Sequence, residues 1–144
     1  MLKVYGYKYD GYVARITGLK EYIDENMKLL DDYNLDSLIA PAPVYTKVRD
    51  DNPTRYIVGA KAKNCMVADG CVIEGEIENA ILFRGVKVAK GAKVKNCILM
   101  QDTVVEAGAE IEYLVTDKNV TITAGKDMKG SDSFPVYISK FQTV

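Results

Sequence analysis

Histidine is absent from these 144 residues. Its absence removes the usual general base of neutral-pH catalysis and the commonest nitrogen ligand for zinc. Cysteine is scarce. Cys65, Cys71 and Cys97 are odd in number, with no close pair to suit a metal site, so small buried residues are expected. An excess of one charge is also missing. Nineteen basic and twenty acidic residues leave a net charge of −1, and no basic block invites nucleic acid or an anionic membrane. No stretch approaches the ~20 apolar residues of a membrane span, and no signal peptide is visible, so a soluble, cytoplasmic protein is expected. Proline is nearly confined to one place, with three of four in residues 35–55.

What the chain does have is an internal repeat. Residues 79–96, NAILFRGVKVAKGAKVKN, return 17 positions later as NCILMQDTVVEAGAEIEY, residues 96–113. The register runs back to Tyr56–Ala62 and on to Ile122–Gly125, with a shorter copy at Asn64–Asn79 that lacks two residues around Glu74–Glu76. A fixed period signals stacked units that bury a core only together. Within each unit apolar residues fall about six apart (Leu82, Val88, Val94, then Leu99, Val105, Ile111). Small or β-branched residues precede each by two: Ala80, Val86, Ala92, then Cys97, Thr103, Ala109. Residues two apart share one side of a strand, so each pair faces a common interior. The helical spacing of three and four is missing from this region. Glycines 70, 85, 91, 108 and 125 are expected at corners, and Asn64, Asn79 and Asn96 in a column at another corner. The pattern reads as a mainly β, hexapeptide-repeat parallel β-helix of about four coils.

The flanks differ. Gly18–Asp32 carries Leu19, Tyr22, Ile23, Met27, Leu29 and Leu30 at helical spacing, which predicts an amphipathic helix with Thr17 as N-cap. Residues 3–16, aromatic and β-prone, resemble the edge of a larger sheet. Residues 35–55 are expected to be an extended linker, and Gly130–Val144 a tail that pairs along or caps the last coil.

Together these parts resemble the C-terminal region of bacterial glucose-1-phosphate adenylyltransferase (ADP-glucose pyrophosphorylase), in its GlgD-type subunit. The resemblance rests on GYVARI-x5-Y-x3-NM-x-LL, then VADGCVIEGEIENAILFRGVKV, ILMQDTVVEAGAEIE and GSDSFPVYISK. It implies left-handed coiling of the β-helix, against the usual crossover rule. It also implies a division into residues 1–34 (end of a nucleotidyltransferase domain and connecting helix), 35–55 (linker) and 56–144 (β-helix with tail). The whole enzyme would join ATP and glucose 1-phosphate, with Mg and ATP held by an N-terminal domain that these residues do not include. The chain is therefore expected to be a fragment, without a cofactor of its own and without a phosphate loop, because Gly59, Gly91 and Gly108 stand singly.

Two departures from the family pattern bear on activity. Catalytic members carry GYW-x-D-[IV]-G-T, whose aspartate helps hold the divalent metal. This chain has Gly11-Tyr12-Val13-Ala14-Arg15-Ile16-Thr17-Gly18, with Arg15 at the aspartate and Asp10 nearby. A cation repels Mg²⁺, which implies a weak or silent enzyme and a regulatory-type subunit. Phe141 stands where the family tends to have glycine. The family binds phosphorylated effectors through arginine and lysine. The corresponding coil reads Glu106, Glu110, Glu112, leaving Lys87, Lys90, Lys93 and Lys95 as the nearest cations, among which no effector residue is assigned.

A partner surface is expected where strand phase turns apolar residues outward. If Ala80 and Leu82 face in, Ile81 faces out, and Met66, Ile98 and Val115 continue its column. Such a stripe is expected to dock against a catalytic adenylyltransferase subunit, the chain's own N-terminal domain or the Gly18–Asp32 helix, within an oligomer, the plainer alternative being that the C-terminal tail covers part of it. Two other readings stand beside this one: a hexapeptide-repeat acyltransferase acting on a sugar nucleotide, which the missing histidine opposes, and a stand-alone protein-binding scaffold.

Overall fold

The computed structural model describes all of residues 1–144. Two helices come first, α1 (Leu19–Lys28) and α2 (Asp32–Ile39). The strands follow in chain order: β1 (Arg55–Tyr56), β2 (Lys61–Val67), β3 (Val72–Ile73), β4 (Glu76–Leu82), β5 (Lys87–Val88) and β6 (Lys93–Lys95). Then come β7 (Ile98–Leu99), β8 (Val104–Val105), β9 (Glu110–Glu112), β10 (Leu114–Thr116), β11 (Thr121–Ile122), β12 (Asp127–Lys129) and β13 (Val136–Ile138). Every pairing between named strands is parallel, and the chain winds as a β-solenoid of about four turns.

The prism has three faces. The first is β1-β3-β5-β8-β11. The other sheet bends where β4 turns at Asn79: Glu76–Glu78 pair with β6, and Ile81–Leu82 with β7. Its second face therefore runs through β2, β4, β6, β9 and β12, and its third through β2, β4, β7, β10 and β13. Left-handed residues make the corners. Asn64, Asn79, Asn96 and Tyr113 have φ of 51°, 47°, 51° and 53°, a region Asn enters more cheaply than other side chains. The Asn64 Nδ2 donates to Asn79 Oδ1 at 2.8 Å, tying neighbouring coils. Another corner uses Gly70 and Gly85 and then, unforeseen, Asp102 and Asn119, with φ of 58° and 57°.

The interior follows the predicted phase. Ala80, Val86, Ala92, Cys97, Thr103 and Ala109 are wholly buried, as are Leu99 and Val105, with Leu82, Val88, Val94 and Ile111 nearly so. Buried hydroxyls need partners, and Thr103 meets Thr116 at 2.9 Å.

The short copy has a local cause. Tyr56 pairs with Ile73 across 17 positions, but Lys61 pairs with Glu76 across 15, so the two missing residues fall between Ile73 and Glu76. The corner there is cut to Gly75, pressed against the next coil: a Cβ would meet Ala92 O, with Ala89 O at 2.8 Å. These are backbone atoms and cannot swing away. Gly75→Ala is expected to cost about 1–3 kcal/mol in chemical denaturation, whereas Gly108→Ala, with open space around it, costs only its φ strain.

The tail caps the C-terminal end. β13 pairs with β10, Thr121 bridges Thr143, and Val144 O accepts from Thr123 N at 2.8 Å. Phe141 has φ of 64°, the left-handed conformation in which glycine would carry no Cβ penalty.

The N-terminal flank departs from expectation in two places. The N-cap of α1 is Gly18, in extended backbone and without a side-chain cap, so Thr17 does not serve. The start of the expected linker is helical. Asp31 caps α2 by accepting from Asn34 N at 3.2 Å, and only residues 43–54 run without regular structure.

Candidate functional site

The third face carries the apolar column. Met66, Ile81, Ile98 and Val115 stand in register, and Tyr137 of β13 follows. Helix α1 lies on it. Ile23, with Leu19, Tyr22, Met27 and Leu30 around it, packs on Ile81, Ile98 and Val115. Ile98 and Val115 are sealed at 0% and 1% exposure, and Ile81 retains 8%. The Lys20 ammonium reaches Asp132 of the tail at 3.6 Å. On its far side the helix is held to the incoming chain by the Tyr12 hydroxyl, which donates to Glu25 at 2.9 Å, and within the helix Lys28 reaches the same Glu25 at 2.6 Å. Lys28 and then Tyr12, both donating to it, hold the Glu25 carboxyl below its ordinary value. Toward the first coil the column opens into a groove of about 270 Å³, lined by Met66, Val67, Ala68, Ile81, Leu82 and Phe83. The seam is hydrophobic and contains no group able to do chemistry.

The second face alternates in charge through its first four rungs, after which Asp127 follows Glu110 in one column while Lys129 follows Glu112 in the other. One column reads Lys61, Glu76, Lys93, Glu110, Asp127, and the next Lys63, Glu78, Lys95, Glu112, Lys129. Lys61–Glu76 closes at 2.8 Å, Lys63–Glu78 at 3.1 Å, Lys93–Glu110 at 2.7 Å and Lys129–Glu110 at 3.6 Å. The hydrogen bond from Lys61 holds the Glu76 carboxyl below its usual 4.5, and that from Lys93 does the same for Glu110. Glu110 in return raises Lys93 above 10.5. Depressed carboxylates stabilise the fold above their unfolded value and cease to do so as pH falls through the lower, folded one. The raised lysine contributes below 10.5, and that contribution fades as pH climbs through its folded value. The melting temperature is therefore expected to hold between those limits and to drop below about pH 4.5. These groups are exposed, so 1 M salt should shrink the acid drop, as scanning calorimetry would read.

Lys87, Lys90, Lys93 and Lys95 do not form one cluster. Lys93 is ion-paired with Glu110, and Lys95 lies in register between Glu78 and Glu112. Lys87 points out from the first face, and Lys90 sits at a corner in a hollow that Lys93 also lines, together with Glu74 and Glu76. Two carboxylates there oppose a phosphate.

Arg15 lies exposed outside any helix or strand, and Asp10 pairs with Lys8 at 3.1 Å. No group of three His, Cys, Asp or Glu side chains could hold a metal ion, so these residues do not fit a magnesium site. Cys71 and Cys97 are sealed in the core, and burial pushes the Cys97 thiol up to about 12, which leaves it inert. No helix is long and apolar enough to cross a membrane.

Residues 46–133 match the GlmU-like, C-terminal hexapeptide family. The glycogen biosynthesis protein GlgD of Bacillus subtilis (strain 168) is 44% identical over 140 residues, 96% of this chain and 41% of that protein. The glucose-1-phosphate adenylyltransferases of Geobacillus stearothermophilus and Fusobacterium nucleatum are 36% and 33% identical over 90 and 92 residues. Those two alignments take in 61% and 63% of this chain and 23% and 24% of the enzymes. The chain spans about two fifths of the length of the first relative and about a quarter of the enzymes. The chain thus belongs to the GlmU-like C-terminal hexapeptide family and is a homologue of the GlgD glycogen biosynthesis protein.

Proposed function

We propose that this chain is the assembly and modulating part of a regulatory-type, non-catalytic subunit that works with a glucose-1-phosphate adenylyltransferase in bacterial glycogen synthesis, in the cytoplasm. The observation that carries this reading is the reach of the likeness. It takes in the lead-in, both helices, the prism and the tail, well beyond the hexapeptides that any such prism shares. The chemistry supports it. There is no histidine, no metal-binding group of side chains and no glycine-rich loop, and the resemblance to the catalytic GYW-x-D-[IV]-G-T pattern sets Arg15 at its aspartate. ATP, magnesium and glucose 1-phosphate belong to the nucleotide-binding part of the enzyme family. This chain contributes a rigid prism with α1 locked along the column Met66, Ile81, Ile98, Val115, and through that helix the prism joins the rest of the assembly.

The test uses the reading frame that contains this chain, expressed alone and with an adenylyltransferase. Alone it is expected to release no pyrophosphate from ATP and glucose 1-phosphate. With the enzyme it co-purifies and alters the rate of ADP-glucose formation. Micromolar ATP binding by the 144-residue chain in calorimetry, or no co-purification, overturns the reading.

A further inference from the structure

The two ends of the prism are unequal. At the C-terminal end the tail lies over the last coil. At the N-terminal end β1 pairs only with β3 and β2 only with β4, so the first coil offers free strand edges. Tyr56 and Ala62, in register with the core residues Ile73 and Ile77, remain exposed, and Cys65 is half-buried. Parallel edges with open backbone groups accept further strands unless blocked, and lysine alone does not block an acidic partner.

The sign of the edge says what fits. Down the second face each rung reverses the charge of the last at both outward positions through four rungs: Lys61/Lys63, Glu76/Glu78, Lys93/Lys95, Glu110/Glu112. The stack ends at its open side on Lys61 and Lys63, which reach Glu76 and Glu78 on one side and have no acid on the other. We propose that the open N-terminal edge binds an extended strand of a partner chain that carries acidic residues at i and i+2 with an apolar residue between them. The two acids fall opposite Lys61 and Lys63 in either strand direction, and the apolar side chain closes over Ala62. Continuing past the corner, an apolar residue meets Met66 at the groove. This chain's own Glu76-Ile-Glu78 and Glu110-Ile-Glu112 show the type and sit on a lysine rung in this way.

A second copy fits poorly. Head to head, Lys61 and Lys63 would face the same lysines. Head to tail, the open edge of β12 offers Asp127 to one lysine but Lys129 to the other, with the tail in the way. The occupant is a different, acidic chain.

The probe is a peptide of residues 74–82, EGEIENAIL, titrated into the full chain at low salt, beside one with Glu74, Glu76 and Glu78 replaced by lysine. The acidic peptide is expected to slow amide hydrogen exchange across Lys61–Val67, to weaken with salt, and to bind roughly tenfold better than the basic one, since two cross-strand pairs change sign. Lys61→Glu with Lys63→Glu inverts that preference. Should facing Glu76 and Glu78 unravel the first coil, Lys61→Gln with Lys63→Gln keeps it folded and removes the preference. Equal binding of both peptides, protection appearing at β12 instead of β2, no protection at all, or sedimentation showing self-association through Lys61 and Lys63, overturns the proposal.

Discussion

Val88→Asp unfolds the prism, while Lys87→Asp, one residue away, leaves its stability within about 0.5 kcal/mol. Val88 is 1% exposed, in register between Ile73 and Val105, and in one core with Leu82. An aspartate there has no donor to meet it and either desolvates a charge or takes up a proton, at a cost above about 4 kcal/mol. Domains of this size hold only about 5–15 kcal/mol in all. In a solenoid the loss also spreads, because each coil buries its neighbours and cannot stand alone. Lys87 points the other way, exposed between Val72 and Val104, and forms no ion pair. Thermal unfolding followed by circular dichroism checks the pair. Equal stability of the two variants would mean that the strand phase is wrong.

That phase was legible because a prism repeats its constraints. A six-residue apolar spacing with a small residue two before can face only one interior, and the lost pair of residues near Glu74–Glu76 appears as the cut corner at Gly75. Corner residues were harder to read. Asp102, Asn119 and Tyr113 adopt the left-handed conformation with side chains that signal it less plainly than glycine, Tyr113 not at all. Helix α2 was hidden by the prolines that follow it, although Asp31 before Asn34 is a capping signal. Thr17 failed as a cap because the chain is still extended at Gly18, one residue later. The alternating ladder is legible in the sequence only when signs are compared at offsets of 15 and 17, because neighbouring residues such as Lys93 and Lys95 carry like charge. Spacing along the chain gave no sign that Lys87, Lys90, Lys93 and Lys95 divide between two faces and a corner. Register between coils settles that, and it emerges only when the coil is closed.

Ile98→Lys, alone or with Ile81→Lys, is expected to lift α1 off the third face. From strand phase alone, Ile81 and Ile98 are outward residues, and lysine at both would leave the fold intact while abolishing assembly. The helix changes the first consequence. Ile98 is wholly covered, with Ile23 above it and Val115 beside it, so a lysine there must either bury its ammonium or displace the helix. Displacement is the cheaper course. Helix α1 is ten residues long with no side-chain N-cap, and so short a helix is marginal in water without a surface to lie on. The core of the prism is a separate cluster and keeps its own packing. The effect is therefore divided: about 2–5 kcal/mol lost from the helix seam, comparable to emptying a buried isoleucine site, against an almost unchanged unfolding transition for the strands. Hydrogen exchange resolves the two. Amides of residues 22–28 should exchange at nearly unprotected rates in the variant, while those of β5 to β11 keep their protection. A lysine pair that leaves α1 protected would show that the helix is held by its polar contacts, Tyr12 of the lead-in to Glu25 and Lys20 to Asp132 of the tail, and not by the apolar column. The same variant separates the roles of the seam. If α1 is released and co-purification with an adenylyltransferase survives, the column serves the chain's own packing, and the partner must bind elsewhere on the prism.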